Sequence, residues 1–336
     1  MNCYRMLLPA LALILIVVPV TLPMDESATY YGPGILAPVC SAHARPTLFV
    51  DPSPWELKHA FNSLMVLQGT AKGKAFNEAE KYLAQARSAG EDAGYIKLAE
   101  SSLSISRRQF TLAEKQALQA LARDPHNSRF LAQMGRVQLM LDKEEEAKKY
   151  FLAAIHCRNP NSDACLVALS GFESGDCLEE AYEAGKVMIK ANPSLAGAYY
   201  RTARIARSLG KFEEGKELMV KAIHIDPARK EHWYTLAEME LGLKNWKGAL
   251  RASDKVLQLS GKNNCREAIF VLPIKAKALE GLGDYAGAVE QWSLALEKVP
   301  DTRPVLVRRA ACYAKLGDKS AEKRDLARVK KVDQGF

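Results

Sequence analysis

The strongest constraint on the fold of this chain is a pattern that repeats within it. Residues 281–300 read GLGDYAGAVEQWSLALEKVP, and residues 208–227 read SLGKFEEGKELMVKAIHIDP. The two stretches share few letters, but a glycine, an aromatic residue, small residues and a final proline recur at the same offsets. A fixed internal period of roughly 20–50 residues is typical of repeat proteins, whose units stack side by side. We therefore sought the same frame along the whole chain.

The frame recurs at intervals of 34 residues over most of the sequence. It starts at 60, 94, 128, 162, 196 and 230, and after five inserted residues near 261–265 it starts again at 269 and 303. Each unit holds a helical pattern of about thirteen residues, a short turn that often contains glycine, a second helical pattern and frequently a proline. No β-strand alternation occurs from residue 57 onward. The sequence thus predicts an all-α chain of about eight helix-turn-helix units.

Small and aromatic residues fall at fixed places of the unit. The best-fitting residues of the three most regular units are Tyr199, Ala203, Gly210, Phe212, Ala222 and Pro227; Trp233, Leu236, Ala237, Trp246 and Ala249; and Ala276, Gly283, Tyr285, Ala288, Trp292, Ala295 and Pro300. In this pattern the chain resembles the tetratricopeptide repeat family, over about 80% of its length. The resemblance implies a right-handed superhelical solenoid. Small residues would let paired helices cross closely, and each unit would bury the apolar face of the next.

The N-terminal part of the chain differs from the repeats. Arg5 precedes nineteen residues without a charge, 6–24, and two acidic residues follow. This composition and charge order are typical of a signal peptide or an N-terminal membrane anchor, and they favour export of the rest. Residues 25–56 contain many prolines and glycines and are interpreted as a linker, which leaves 57–336 as the repeat domain.

The predicted location is the non-cytoplasmic side of a membrane, to which residues 6–24 would attach the protein. The chain has no Asn-x-Ser/Thr sequon. Because such a sequon is the acceptor for glycosylation in secreted eukaryotic proteins, its absence favours the bacterial periplasm or cell envelope. Whether the apolar segment is cleaved stays open.

Motifs of catalysis and cofactor binding are sparse in this sequence. The six histidines are scattered, and neither His-Glu-x-x-His, Gly-x-Ser-x-Gly nor a P-loop occurs. Residues 281–286 imitate a dinucleotide-binding fingerprint, but a helical pattern precedes them where that motif requires a strand. His156, Cys157 and Cys165 match no common zinc spacing. We therefore expect no enzyme activity, no cofactor and no metal, and keep an enzyme without recognisable motifs as an alternative.

The remaining candidate for function is the exposed side of the first helices. In the family that the chain resembles, first helices line a concave groove through positions near 2, 5, 6, 9 and 12 of the unit. The groove residues inferred in this way are Tyr95, Arg129, Arg136, Tyr200, Arg201, Arg204, Arg207, Tyr234 and Lys277. Guanidinium groups suit carboxylates, and tyrosine gives rigid contact area. The prediction is a protein-binding scaffold or assembly factor that holds extended or helical peptides of acidic character.

Other interpretations of the charges stay open at this point. Arg201, Arg204 and Arg207 could instead pair with Glu231 and Glu238 of the adjoining unit. The net charge of +8 is also uneven, since residues 303–336 carry ten Lys or Arg against four Asp or Glu. This gives a less favoured alternative, nucleic-acid or anionic-lipid binding through Arg303, Arg308, Arg309, Lys323, Arg324, Arg328, Lys330 and Lys331.

The cysteines leave one further question. Their number, seven, is odd, so at least one is unpaired within the chain. Cys157 and Cys165 fall on either side of a predicted turn between antiparallel helices. They either form a bridge across that turn or stay as buried thiols that pack like small apolar residues.

Overall fold

The computed structural model describes residues 72–261 and 265–334, and all the regular structure in them is α-helical. First and second members of helix pairs alternate along this part of the chain. The first helices are α2 (Ala93–Ser106), α4 (Ser128–Met140), α6 (Ser162–Ser174), α8 (Ala196–Ser208), α10 (Lys230–Gly242), α12 (Cys265–Gly281) and α14 (Arg303–Leu316). The second helices are α1 (Lys72–Ser88), α3 (Phe110–Leu121), α5 (Glu144–His156), α7 (Leu178–Ala191), α9 (Phe212–Ile225), α11 (Trp246–Ser260), α13 (Tyr285–Lys298) and α15 (Lys319–Asp333).

The helix starts follow the predicted frame closely. Helices α4, α6, α8, α10 and α14 begin at the predicted residues, and α2 begins one residue early. Each first helix packs against its own second helix, and each second helix before α15 packs against the first helix of the next unit. The predicted all-α solenoid of helix pairs is therefore confirmed. Helix α1 belongs to one more unit, whose first helix, predicted from residue 60, lies outside the described residues.

The inserted segment is where the frame and the structure differ. Helix α12 begins at Cys265 rather than at 269 and runs for 17 residues. Residues 265–268, which precede the predicted start, therefore form an additional turn of this helix. The predicted targeting segment, 6–24, and the linker, 25–56, lie outside the described residues. Among the helices that the structure does describe, none has the length and apolar character that a membrane span requires.

The turn inside each described pair contains one residue in the left-handed region. In three pairs this residue is glycine, with φ of +72° at Gly210, +82° at Gly283 and +79° at Gly317. The other four pairs place a non-glycine residue there, with φ between 55° and 61°: Arg108, Asp142, Asp176 and Lys244. A side chain in this region costs about 1–2 kcal/mol. Packing of the two helices therefore imposes the turn even where the sequence has no glycine.

Small residues bring the two helices of a pair together, as predicted. A Cβ added at Gly215 would lie 3.4 Å from the carbonyl oxygen of Ala203, so these two backbones are in near contact. Ala276 and Ala288 are fully buried in one apolar cluster that also contains Trp292. Because backbones can approach this closely only where side chains are small, these positions set the crossing of each pair.

The aromatic residue that begins a second helix packs against the next unit. A Cβ at Gly242 would lie 2.6 Å from the ring of Phe212, and one at Gly281 would lie 2.4 Å from the indole of Trp246. Each ring thus covers a glycine near the end of the following first helix. Stacking of consecutive units is fixed in this way, and it places the first helices side by side.

Candidate peptide-binding groove

The first helices form the inner wall of the solenoid. Neighbouring first helices contact one another at α2 with α4, α4 with α6, α8 with α10 and α10 with α12. Among the second helices, only α5 and α7 show such contact, and it is weaker. Elements on the inside of a curve lie closer together than those on the outside. The side chains that project from the first helices therefore face the concave side.

Arg207, Tyr234 and Glu238 form a bonded cluster between α8 and α10. The guanidinium group of Arg207 is ion-paired with the carboxylate of Glu238, and the Tyr234 hydroxyl donates to Glu238 Oε1 at 3.3 Å. Burial raises the pKa of Glu238 in spite of the favourable charge of Arg207. Burial, with the nearby Glu238 carboxylate, also raises the pKa of Tyr234 to about 12. The cluster joins two units, and within it Arg207 is already ion-paired with Glu238.

Two other predicted groove arginines also connect neighbouring units. Arg201 of α8 is ion-paired with Glu173 of α6 at 3.0 Å, and its side chain is only 12% exposed. Arg129 of α4 pairs with Asp163 of α6 at 3.0 Å. Pairing with an adjoining unit, which the sequence left open, therefore occurs for Arg201 and Arg207, although Arg201 uses Glu173 rather than Glu231 or Glu238.

The groove tyrosines are held by aromatic and cationic neighbours. Tyr95 packs edge-on against Phe130, with ring centroids 5.1 Å apart, and Arg129 lies 6.0 Å from its centroid. Tyr200 contacts the ring of His232 at 5.5 Å. Such contacts leave the tyrosines as preorganised surface, because little rotamer freedom remains to be lost on binding.

Three predicted groove cations make no ion pair within the described part of the chain: Arg136, Arg204 and Lys277. The charge of Arg204 still acts at longer range on Glu238, whose carboxylate is ion-paired with Arg207. All three occupy the ninth position of their unit. Arg204 and Lys277 are exposed, and the Arg204 guanidinium lies 5.8 Å from the Tyr200 centroid. Arg136 is half-buried, and burial lowers its pKa to about 10, so it still carries its charge at neutral pH. The two exposed groups, Arg204 and Lys277, are available to an external anion.

An open cavity lies between α10 and α12, and three of the predicted groove residues line it. It measures about 620 Å³ and is lined by Arg207, Phe212, Tyr234, Glu238, Leu241, Gly242, Phe270, Pro273, Ile274 and Lys277. The sequence argument found Arg207, Tyr234 and Lys277 but missed the apolar wall. The signal was present, since Phe270, Pro273, Ile274 and Leu241 occupy groove positions 2, 5, 6 and 12 of their units.

The basic residues of the last unit are largely neutralised. Arg303 pairs with Asp333 at 2.6 Å, Arg328 pairs with Asp301 at 2.6 Å, and Arg308 pairs with Glu280. Arg309 makes a bidentate contact with Asp325 at 2.7 and 2.8 Å. The cations that remain exposed and unpaired among the described residues of this unit include Lys323, Arg324, Lys330 and Lys331. The predicted basic surface is therefore smaller than the sequence indicates.

Cys157, Cys165, Cys177 and Cys312 are free thiols, so Cys157 and Cys165 form no bridge. Burial is the main cause that raises the pKa of Cys165, to about 12, which keeps the thiol protonated at neutral pH. Cys157 Sγ donates to the carbonyl of Ala154 at 3.3 Å. Within the described residues, no group of three or more His, Cys, Asp or Glu side chains could hold a metal ion.

Comparisons with known proteins agree with this architecture. A family model for the tetratricopeptide repeat matches residues 196–229, the unit of α8 and α9. The chain is similar to the C-terminal part of a TPR repeat-containing protein from Cytophaga hutchinsonii, with a TM-score of 0.55 and 13% identity over 75% of this chain and 98% of that one. No curated protein matches the sequence.

Two further solved structures are similar to this chain with lower TM-scores. A tetratricopeptide repeat protein from Parabacteroides merdae is 15% identical, with a TM-score of 0.47 over 71% of this chain and 93% of its own. The structure of MamA from residue 41 to its end, from Desulfovibrio magneticus, is 14% identical, with a TM-score of 0.49 over 52% of this chain and 96% of its own.

The helix pairs and their shared inner wall define a helical-repeat solenoid. Its fold is that of tetratricopeptide repeat proteins, and the unit at 196–229 matches the tetratricopeptide repeat family model. The family resemblance predicted from the residues is confirmed.

Proposed function

We propose that the protein is a binding scaffold whose concave groove holds a peptide segment of a partner protein. The observation that carries this proposal is the inner face of α8, α10 and α12. It combines cations that make no ion pair with an open cavity. Stacked helix pairs create the extended concave surface that repeat proteins use for binding. A folded scaffold of this kind needs no catalytic group.

The charges of the groove support a partner segment of acidic character. Arg136, Arg204 and Lys277 make no ion pair in the described part of the chain, and Arg204 and Lys277 are exposed. A carboxylate supplied by a peptide would form a charge-assisted hydrogen bond with the Arg204 guanidinium or the Lys277 ammonium group. Because Arg201 and Arg207 are already paired within the protein, we assign them to repeat stacking and Arg204 to binding.

The two groove residues with raised pKa values are hydrogen-bonded within the protein, which supports binding rather than catalysis. Tyr234 and Glu238 are the groove residues with raised pKa values, and both are bonded within the cluster that contains Arg207. A general acid or base would instead present its reactive atom to a substrate. The arrangement fits a structural contact between units.

Position-specific photo-crosslinking in cells tests the proposed groove. A photoreactive amino acid at Tyr200 or Lys277 should crosslink a partner protein, because both residues face the groove. The same photoreactive group at Val220, which is 53% exposed on the second helix α9, serves as the control and should not crosslink the partner. Equal crosslinking from Val220, or none from the groove positions, would contradict a groove-bound partner.

We further propose that the scaffold acts on the non-cytoplasmic side of a membrane, in a bacterial envelope. The support is the charge-free segment 6–24, with Arg5 before it and acidic residues after it. A reporter enzyme that needs disulfides for activity, fused after residue 336 and expressed in a bacterial host, should be active. A matched fusion that lacks 6–24 should be inactive. An inactive full-length fusion would argue against export.

A further inference from the structure

We infer that the cavity between α10 and α12 receives a large apolar side chain of the bound peptide. Acidic residues on either side of that side chain then contact Arg204 and Lys277. This inference rests on the proposed peptide-binding function. It narrows the partner to an acidic segment with one apolar anchor.

The exposed apolar wall of the cavity is the first support. Phe270 is 55% exposed, the highest value among the large exposed hydrophobic residues of the described chain, and no other of these is aromatic. It lines the cavity together with Ile274, Leu241 and Tyr234. An apolar cavity with few polar groups is the usual form of a binding site, and aromatic residues dominate the energetic centres of interfaces. A ligand side chain placed here would remove Phe270 from water.

The sequence of α12 explains why the cavity exists at this place. The fifth position of the unit holds Tyr200 in α8 and Tyr234 in α10, but Pro273 in α12. Proline fills less space than tyrosine, which leaves room in the wall. Proline also has no N–H, so the carbonyl of Ile269, one turn earlier, lacks its helical donor.

The charges flank the cavity along the groove. Arg204 lies on α8 and Lys277 on α12, while Arg207, also on α8, is ion-paired with Glu238 of the intervening helix α10. Neighbouring helices pack about 8–10 Å apart, so the two free cations are separated by roughly two such spacings, about 20 Å. An extended peptide covers that distance in about six residues, at roughly 3.3 Å each. The fitting segment therefore has two acidic residues about six positions apart, with the anchor between them.

A nucleic acid fits this wall less well than a peptide. One strand presents a phosphate about every 3.4 Å, so it needs a nearly continuous row of cations. Here the free cations stand two units apart, and the carboxylates of Glu173, Glu238 and Glu280 occupy positions between or beside them. Glu231 is a further exposed carboxylate on α10. Separate carboxylates on a peptide can avoid these groups, whereas a phosphate backbone cannot.

Selection from a random dodecapeptide phage library tests the inference directly. The probe is the library itself, panned on the purified protein at low salt. Enriched peptides should carry a Phe, Trp, Leu or Ile with an Asp or Glu on both sides within about six residues. Failure to enrich any peptide would count against the proposed function itself. Enriched peptides without acidic residues, or without the apolar residue, would overturn only the inference.

Binding of one enriched peptide to matched variants locates the contact. Phe270→Ser should raise the Kd of the peptide about tenfold or more. Val220→Ser, at a similarly exposed position on α9, is the control and should keep the Kd within about twofold of the wild-type value. Arg204→Glu and Lys277→Glu should each weaken it about tenfold at low salt and less at high salt, because charges are then screened. The control is Lys221→Glu, an exposed charge reversal on α9.

The alternatives have distinct outcomes in the same assay. Since Phe270, Arg204 and Lys277 are exposed, their variants should keep the wild-type melting curve. Unchanged peptide affinity in folded Phe270→Ser would remove the anchor site. Displacement of the peptide by single-stranded DNA at equal concentration, with the same dependence on Arg204 and Lys277, would instead identify a nucleic-acid groove and overturn the peptide assignment.

Discussion

Phe151 of α5 lies directly against Gly171 of α6, so closely that a Cβ at Gly171 would be 2.2 Å from the ring atom Cε2. The same ring meets Gly135 of α4, where a Cβ would be 2.6 Å away. Phe151 is buried and packs edge-on against Phe172, with centroids 5.6 Å apart. One ring therefore joins both helices of its own unit to the first helix of the next. The ring can lie this close to both helices only because Gly135 and Gly171 have no Cβ atom.

Gly171→Ala should destabilise the protein although alanine is the better helix former. The clash with a buried ring costs about 1–3 kcal/mol, which exceeds the gain in helix propensity of about 1 kcal/mol. Gly197→Ala is the control, since a Cβ there meets no atom within 4 Å, and it should be neutral or stabilising. Urea unfolding measures both. Equal effects of the two substitutions would contradict the packing of Phe151.

Arg201→Ala should lower the stability of the protein, whereas Arg204→Ala should lower its affinity for the peptide. Arg201 is nearly buried against Glu173, so its loss should lower the free energy of unfolding by about 1 kcal/mol. Arg204 is exposed and has no ion pair in the described residues, so its loss should change stability by less than about 0.5 kcal/mol. Peptide affinity should fall for Arg204→Ala. Thermal melts and fluorescence polarisation on the same samples distinguish the two roles.

Lys244→Gly should stabilise the protein by roughly 1 kcal/mol, because Lys244 has φ of 57° in the turn between α10 and α11. The converse substitution, Gly210→Ala, places a side chain at φ of +72° in the equivalent turn and should cost about 1 kcal/mol. The shift of the urea midpoint gives the sign of each. A destabilised Lys244→Gly protein would show that the turn does not limit stability.

Glu100→Gln should destabilise the protein at pH 7, by about 1–2 kcal/mol. Burial alone would raise the pKa of Glu100, but hydrogen bonds from Lys97, at 2.8 Å, and from Arg87 outweigh it and hold the pKa below its ordinary value of 4.5. A depressed pKa contributes stability above pH 4.5 that is lost as the pH falls through the folded-state pKa.

The difference between wild type and Glu100→Gln should therefore shrink as the pH falls below 4.5. Denaturant unfolding at pH 7, 5 and 3 measures this trend. Glu297→Gln, an exposed carboxylate substitution on α13, controls for the general effect of removing a charge. A difference that stays constant down to pH 3 would mean that the ion pairs of Glu100 add no net stability.

Ala288→Arg should open the crossing between α12 and α13. Ala288 is fully buried, and a bulky charge there should cost more than about 3 kcal/mol. Ala286→Arg adds the same group to an exposed position of the same helix and should have little effect. Circular-dichroism melts compare them. An unchanged melt for Ala288→Arg would remove the assigned packing at this crossing.

The repeat frame could be predicted because its signals are local. Gly283, Tyr285 and Pro300 recur at the offsets of Gly210, Phe212 and Pro227, and α8, α10 and α14 begin where that frame places them. The frame failed after the insertion, because Arg266, Glu267 and Ala268 are good helix formers and extend α12 toward its N-terminus.

The candidate site could be predicted only in part. The frame identified Arg204, Arg207 and Lys277 as groove residues, but it could not tell that Arg207 is occupied by Glu238 while Arg204 is not. That difference depends on rotamers and on which helices are neighbours.

The sequence by itself determined the helical class of the protein, the length of its unit and the side of each helix that is buried. These follow from hydrophobic periodicity and from small residues at fixed spacing, which act within one helix pair. Only the tertiary structure decided which arginines are free and where the wall opens beside Phe270. Both depend on contacts between units, where partners are about 30 residues apart, as Arg207 and Glu238 are, and no local pattern encodes the geometry of such a pair.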